Sequence, residues 1–86
     1  MTEAKIGQIV LSLAGRDKGR IMIVSSVLDS QHVAVVDGKY RKMRSPKKKK
    51  LKHLQLTKKI AGNFVKKVQD GETPTDEEVK KFLAKM

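Results

Sequence analysis

GQIVLSLAGRDKGRIMIV, residues 7–24, decides the fold class of this 86-residue chain. Its first half alternates: Ile9, Leu11 and Leu13 fall on one side, Gln8, Val10 and Ser12 on the other. A two-residue period sends successive side chains to opposite faces of an extended backbone, so Ile6 to Ala14 is expected to form a half-buried strand. AGRDKG then sets Gly15 and Gly19 around Arg16, Asp17 and Lys18, the composition of a turn. From Arg20 to Leu28 the chain is rich in β-branched residues, which predicts a second strand.

Working outward, Asp29 to Gln31 turns the chain and His32 to Val36 predicts a third short strand. Asp37-Gly38, between HVAVV and KYRKM, carries a two-residue hairpin signal, because both central residues of a type I′ turn need positive φ. A fourth strand is therefore expected from Lys39 to about Met43. Ser45-Pro46 interrupts it, Lys47 to Lys50 is expected as a loop, and Leu51, Leu54 and Leu56 suggest a short fifth strand. Four or five short antiparallel strands with tight connections predict a small barrel.

Beyond residue 57 the period changes. Ile60, Ala61, Phe64, Val65 and Val68 trace the stripe of an amphipathic helix, which Gly71 is placed to end. A second helix follows Thr75, which with Glu78 makes a capping box, while Asp76 and Glu77 suit the positive end of the helix dipole. Val79, Phe82, Leu83 and Met86 supply its apolar stripe. The expected organisation is thus a β-domain over residues 1–57 and a helical extension over 58–86, packed on or beside it.

Twenty Lys and Arg against nine Asp and Glu give a formal charge of +11. Such an excess repels itself unless a polyanion neutralises it, and a nucleic acid does so while releasing condensed counterions. Charge is also segregated. No acidic residue falls between Lys39 and Gln69, whereas Lys39, Arg41, Lys42, Arg44, Lys47, Lys48, Lys49, Lys50 and Lys52 crowd one short block. Anionic lipid fits less well, since it calls for a large apolar helix face or a lipid anchor. The chain has no cysteine, so disulfides and thiolate metal sites are excluded, and a reducing cytoplasm is the expected compartment. No apolar run approaches the ~20 residues of a membrane span, and MTEAKIGQ lacks the apolar core of a signal peptide.

Residues 7–24 resemble the KOW motif: after the apolar alternation, Gly15, Arg16, Asp17, Lys18, Gly19 and Arg20 match its basic turn position for position. The downstream stretch to "KHLQLT" is similar to the large-subunit ribosomal protein family fourteen-e, with its six-e and twenty-seven-e relatives. The resemblance covers roughly residues 5–57 and is that of a short bacterial-type member. It implies an SH3-like β-barrel, here followed by two short α-helices. It also implies RNA binding through the turn at Arg16, Lys18 and Arg20 and through the neighbouring basic residues.

The site expected on these grounds comprises Arg16, Lys18 and Arg20, then Lys39, Tyr40, Arg41, Lys42 and Arg44, then Lys47 to Lys50, Lys52 and His53. Gly15, Gly19, Asp37 and Gly38 serve its turns. Each has a plainer reading. The glycines could be simple turn residues, the four-lysine run a solvated face or an import signal, and Tyr40 a ring packed on the barrel instead of a base-stacking platform. Arg41 and Arg44 are the stronger contacts, because a guanidinium plane grips phosphate bidentately. His53 reads as a phosphate or ribose contact or a surface residue. With two histidines and no carboxylate cluster near them, no nucleophile or metal constellation is visible, so no enzyme, cofactor or small-molecule substrate is expected. The expected partner is ribosomal RNA, with ribosomal proteins reachable through the helical tail and no membrane. The alternatives are a transcription-elongation module docking on RNA polymerase and a general nucleic-acid binder.

Overall fold

The computed structural model describes residues 4–85. Strands β1 (Gln8–Ser12), β2 (Ile21–Val27), β3 (His32–Val36), β4 (Lys47–Lys50) and β5 (Leu54–Ile60) form one antiparallel sheet in the order β4-β3-β2-β1-β5. Helices α1 (Gly62–Gln69) and α2 (Asp76–Ala84) follow. The protein is therefore mainly β with two C-terminal helices, as its periodicity predicts. β4 and β5 are the two edges of the sheet, yet a single 3₁₀ turn, Leu51–His53, joins them. No backbone ladder closes the sheet between them.

Both sheet faces are buried, and the alternation of β1 shows how. Val10, paired with Met22, joins Val24, Val33, Val35 and Leu54 in the core on one side of the sheet. The neighbouring register row, Ile9, Ile23 and Val36, packs on the other side against Ala61, Phe64 and Val79. The helices thus cover the face that a free-standing sheet would leave wet. Leu13, expected on the same buried face as Ile9, lies past the end of β1 and is exposed.

The helix signals behave as their chemistry requires. α1 ends in a Schellman motif, with the Glu72 N–H donating to the Lys67 carbonyl and Gly71, at φ +80°, donating to Val68. Thr75 and Glu78 form the reciprocal capping box at the start of α2. Ile60 and Ala61 do not belong to α1, however: Ile60 closes β5 and Ala61 precedes the first helical turn. Met86, expected on the α2 stripe, lies outside the described residues.

The middle of the chain departs from expectation. Lys39 to Met43 is not a strand, and Lys47 to Lys50 is not a loop. Residues 37–46 form the connection, and the four lysines form β4, paired with β3 through Val35↔Lys47 and Val33↔Lys49. Nor is Asp37-Gly38 a type I′ turn, because only Gly38 has positive φ. The Asp37 side chain is the cause. Its Oδ1 accepts the N–H groups of Lys39, Tyr40 and Arg41 at 2.9, 2.9 and 2.8 Å, which coils the backbone locally and withdraws those donors from any ladder. Asp76, at the start of α2, accepts the Met43 N–H at 2.8 Å and ties the same loop to the helix.

Gly38 packs directly against α2. A Cβ there would collide with the Asp76 carbonyl oxygen and lie 3.1 Å from Lys80 Cγ, at a φ of +80°. Gly19 has similar φ but open space around it. Gly38→Ala should therefore cost about 3 kcal/mol and lower the melting temperature by more than about 10 °C. Gly19→Ala carries only the left-handed backbone penalty, about 1 kcal/mol or roughly 5 °C. Equal losses in thermal melts of the two variants would contradict the close approach of α2.

Candidate nucleic-acid interface

The turn after β1 delivers a carboxylate into the protein. Ala14 leads into a single 3₁₀ turn, Gly15–Asp17, and Gly15 and Gly19 take the positive φ that reverses the chain. Asp17 is left 1% exposed. Three cations from three segments converge on it. Arg20, immediately before β2, reaches Oδ1 at 2.5 Å; Arg41, in the 37–46 loop, donates from Nε to Oδ2 at 3.0 Å; and Lys49 Nζ, on β4, lies 3.7 Å from Oδ2. Lys49 also donates to the Ala14 carbonyl at 3.2 Å. Arg20 Nε lies 3.9 Å from Asp37, so the loop carboxylate touches the same cluster.

Burial pushes the Asp17 carboxyl up, but the Arg41 hydrogen bond and the charges of Arg41, Lys49 and Arg20 outweigh it and hold the group below the ordinary carboxylate range. Asp17 is therefore ionised wherever the protein is folded near neutrality. The cluster keeps an excess of positive charge, with three cations around Asp17 and the margin of Asp37.

The expected site residues now separate into two sets. Arg20, Arg41 and Lys49 are pinned. Lys49, expected to contact RNA in a solvated loop, is 8% exposed and faces Asp17, which removes it from the accessible surface. β-pairing explains this, since alternation along β4 turns Lys49 inward and leaves Lys48 and Lys50 on the opposite face. Arg16, Lys18, Lys39, Lys42, Arg44, Lys47, Lys48, Lys50 and Lys52 are exposed and have no anionic partner among the described residues. Most of them border the pinned cluster, on the Asp17 turn, the 37–46 loop or β4. His53 is half-buried in the turn between the two edge strands, and its carbonyl accepts the Leu13 N–H at 2.8 Å.

Tyr40 stands apart from the other aromatics. Phe64 is fully buried and meets Phe82 edge-on, whereas Tyr40 is 58% exposed. The Arg20 guanidinium lies 3.9 Å from its ring centroid and Lys39 Nζ 5.1 Å. The sequence marks Tyr40 and the cations individually, but not Asp17 as their organiser. A charged residue inside a match to a basic turn reads as surface, and nothing local signals that it will be enclosed.

Among the described residues, no group of three or more His, Cys, Asp or Glu is placed to hold a metal ion, and no helix is long and apolar enough to cross a membrane. The chain matches no protein-family model and no curated protein.

Asp17→Asn should destabilise the protein at neutral pH by about 3 kcal/mol, because it leaves three converging cations without their counter-charge. The sign of the pH dependence follows from the lowered pKa. Asp17's stabilising charge is fully present above the unfolded carboxylate range, near pH 4, and is lost as pH falls through the lower folded value. The gap between wild type and Asp17→Asn should thus be widest above about pH 5 and narrow progressively in acid. Melting temperatures across that range check it, and a pH-independent gap would contradict the ionised hub.

Proposed function

We propose that this protein is a non-catalytic RNA-binding protein of the KOW type that acts on structured RNA, namely ribosomal RNA. The observation that carries the reading is the Asp17 hub, which fixes Arg20, Arg41 and Lys49 on one carboxylate among exposed cations that have no anionic partner among the described residues. Sheet geometry supports the SH3-like part of the reading. Two edge strands joined by one three-residue turn require the sheet to curl toward itself. The match of residues 15–20 to the KOW turn acquires a physical role, because Asp17 holds the basic loop and β4 beside the turn.

The mechanism is phosphate neutralisation by a preformed surface. Cations on a paired strand and a pinned loop lose less freedom on docking than those of a flexible tail. Duplex RNA has a deep, narrow groove that side chains read poorly, so the spacing of phosphates and 2′-hydroxyls supplies the selectivity. The dense positive rim favours RNA over the polymerase-docking alternative, which calls for an uncharged face. A cytoplasmic location belongs to the same proposal.

With about six phosphates neutralised, the logarithm of affinity should fall against the logarithm of salt with a slope of roughly −4 to −5. The triple substitution of Lys47, Lys48 and Lys50 by Gln should make that slope shallower by about 2 to 3 while leaving the melting temperature nearly unchanged. Lys49→Gln should instead lower the melting temperature. Salt titrations of structured RNA binding, read beside thermal melts, separate the two roles. An unchanged slope in the triple variant would remove β4 from the interface. Competition with a matched DNA duplex tests the 2′-hydroxyl, and co-sedimentation with large ribosomal subunits tests the ribosomal assignment.

A further inference from the structure

Tyr40 is not needed to complete the core, and it is not placed as a core residue. It is exposed on a loop whose backbone is held by three N–H bonds to Asp37, one of them its own at 2.9 Å. The Arg20 guanidinium, 3.9 Å from its ring centroid, is itself clamped by the buried Asp17. The ring therefore sits on a rigid cationic base instead of swinging freely. A Tyr serving only to shield Arg20 would gain by burying its remaining surface, yet more than half of it stays in water.

We infer that Tyr40 is a stacking platform for one unpaired nucleobase, so that the preferred ligand is duplex RNA interrupted by a bulged or looped-out nucleotide. This rests on the RNA-binding reading and names the substrate class within it. An aromatic face backed by a fixed guanidinium offers a base a preorganised π-surface, and every base has a face to match. Lys39 Nζ also lies over the ring, 5.1 Å from its centroid, and with no anionic partner among the described residues its flexible chain can swing off the ring to the phosphate of the stacked nucleotide. A perfectly paired duplex cannot use the platform, because its bases are already stacked on one another. Cations hold the flanking helix while the ring selects the interruption.

The test compares a fully paired RNA duplex with the same duplex carrying one unpaired adenosine, both at one fixed salt concentration. Wild type should bind the bulged RNA about 5- to 150-fold tighter, the range expected for stacking one base on an aromatic side chain. Tyr40→Leu should bind both RNAs alike, at about the wild-type affinity for the paired duplex, and Tyr40→Phe should keep the preference. Tyr40 is the sole tyrosine and the chain has no tryptophan, so tyrosine emission reports on this ring alone in the unaltered protein. It should be quenched more by the bulged RNA than by the paired one at equal saturation. Tight binding to both RNAs with no preference, or a preference that survives in Tyr40→Leu, overturns the platform and leaves the RNA-binding reading standing. Failure to bind either RNA overturns both.

Discussion

One carboxylate holds the basic half of this protein in shape. Asp17 is enclosed, ionised and shared by Arg20, Arg41 and Lys49, which arrive from the residue before β2, the 37–46 loop and β4. These segments have reason to separate, since the chain carries +11 formal charges and the block from residue 39 to 52 has no acidic residue. A buried charge is costly unless it is paired, and cations at such density repel unless something negative lies between them. Asp17 answers both conditions at once. Asp37 does comparable work on the backbone, taking three N–H groups that would otherwise need a ladder partner.

The sheet makes use of the lysines as well as tolerating them. Strand β4 is an edge, and a run of lysines is poor strand-forming sequence, yet it pairs along its length with the buried β3. Pairing gives the run a direction. Lys49 turns inward to Asp17 while Lys48 and Lys50 face away on the other side. Exposed lysines on an edge strand also oppose edge-to-edge association, so the features proposed to attract RNA discourage the protein from pairing with itself.

Most of the architecture was legible in the sequence, and what escaped it has a common cause. β1, β2, β3 and both helices follow from local patterns: alternation around Val10, β-branched runs, the Gly71 terminus and the Thr75–Glu78 box. The largest miss falls on residues 37–50, where strand and loop are exchanged, and a smaller one on Ile60 and Ala61, which end β5 and precede α1. Asp37-Gly38 has the composition of a hairpin turn, but the Asp37 carboxylate captures the next three useful N–H groups, and Ala34 and Val33 find their partners in Lys48 and Lys49 instead. Propensity argues against a tetralysine strand, and tertiary pairing overrides it. For the same reason Lys49 could not be told apart from its three neighbours until the pleat and Asp17 distinguished it.

This separation of neighbouring lysines bears on how such a surface can be both tight and selective. Exposed cations such as Lys47, Lys48 and Lys50 release counterions on docking, a contribution that depends on charge and salt and is nearly blind to shape. Arg20 and Arg41 have given part of their charge to Asp17, so they attract phosphate less strongly, but their positions are fixed to within a hydrogen bond. Fixed donors favour ligands whose phosphates and bases already match their spacing and leave others behind. By neutralising one charge in three at the hub, Asp17 lowers general attraction to any polyanion and raises the penalty for one of the wrong form. A surface made only of free lysines would hold more nucleic acid and distinguish less of it.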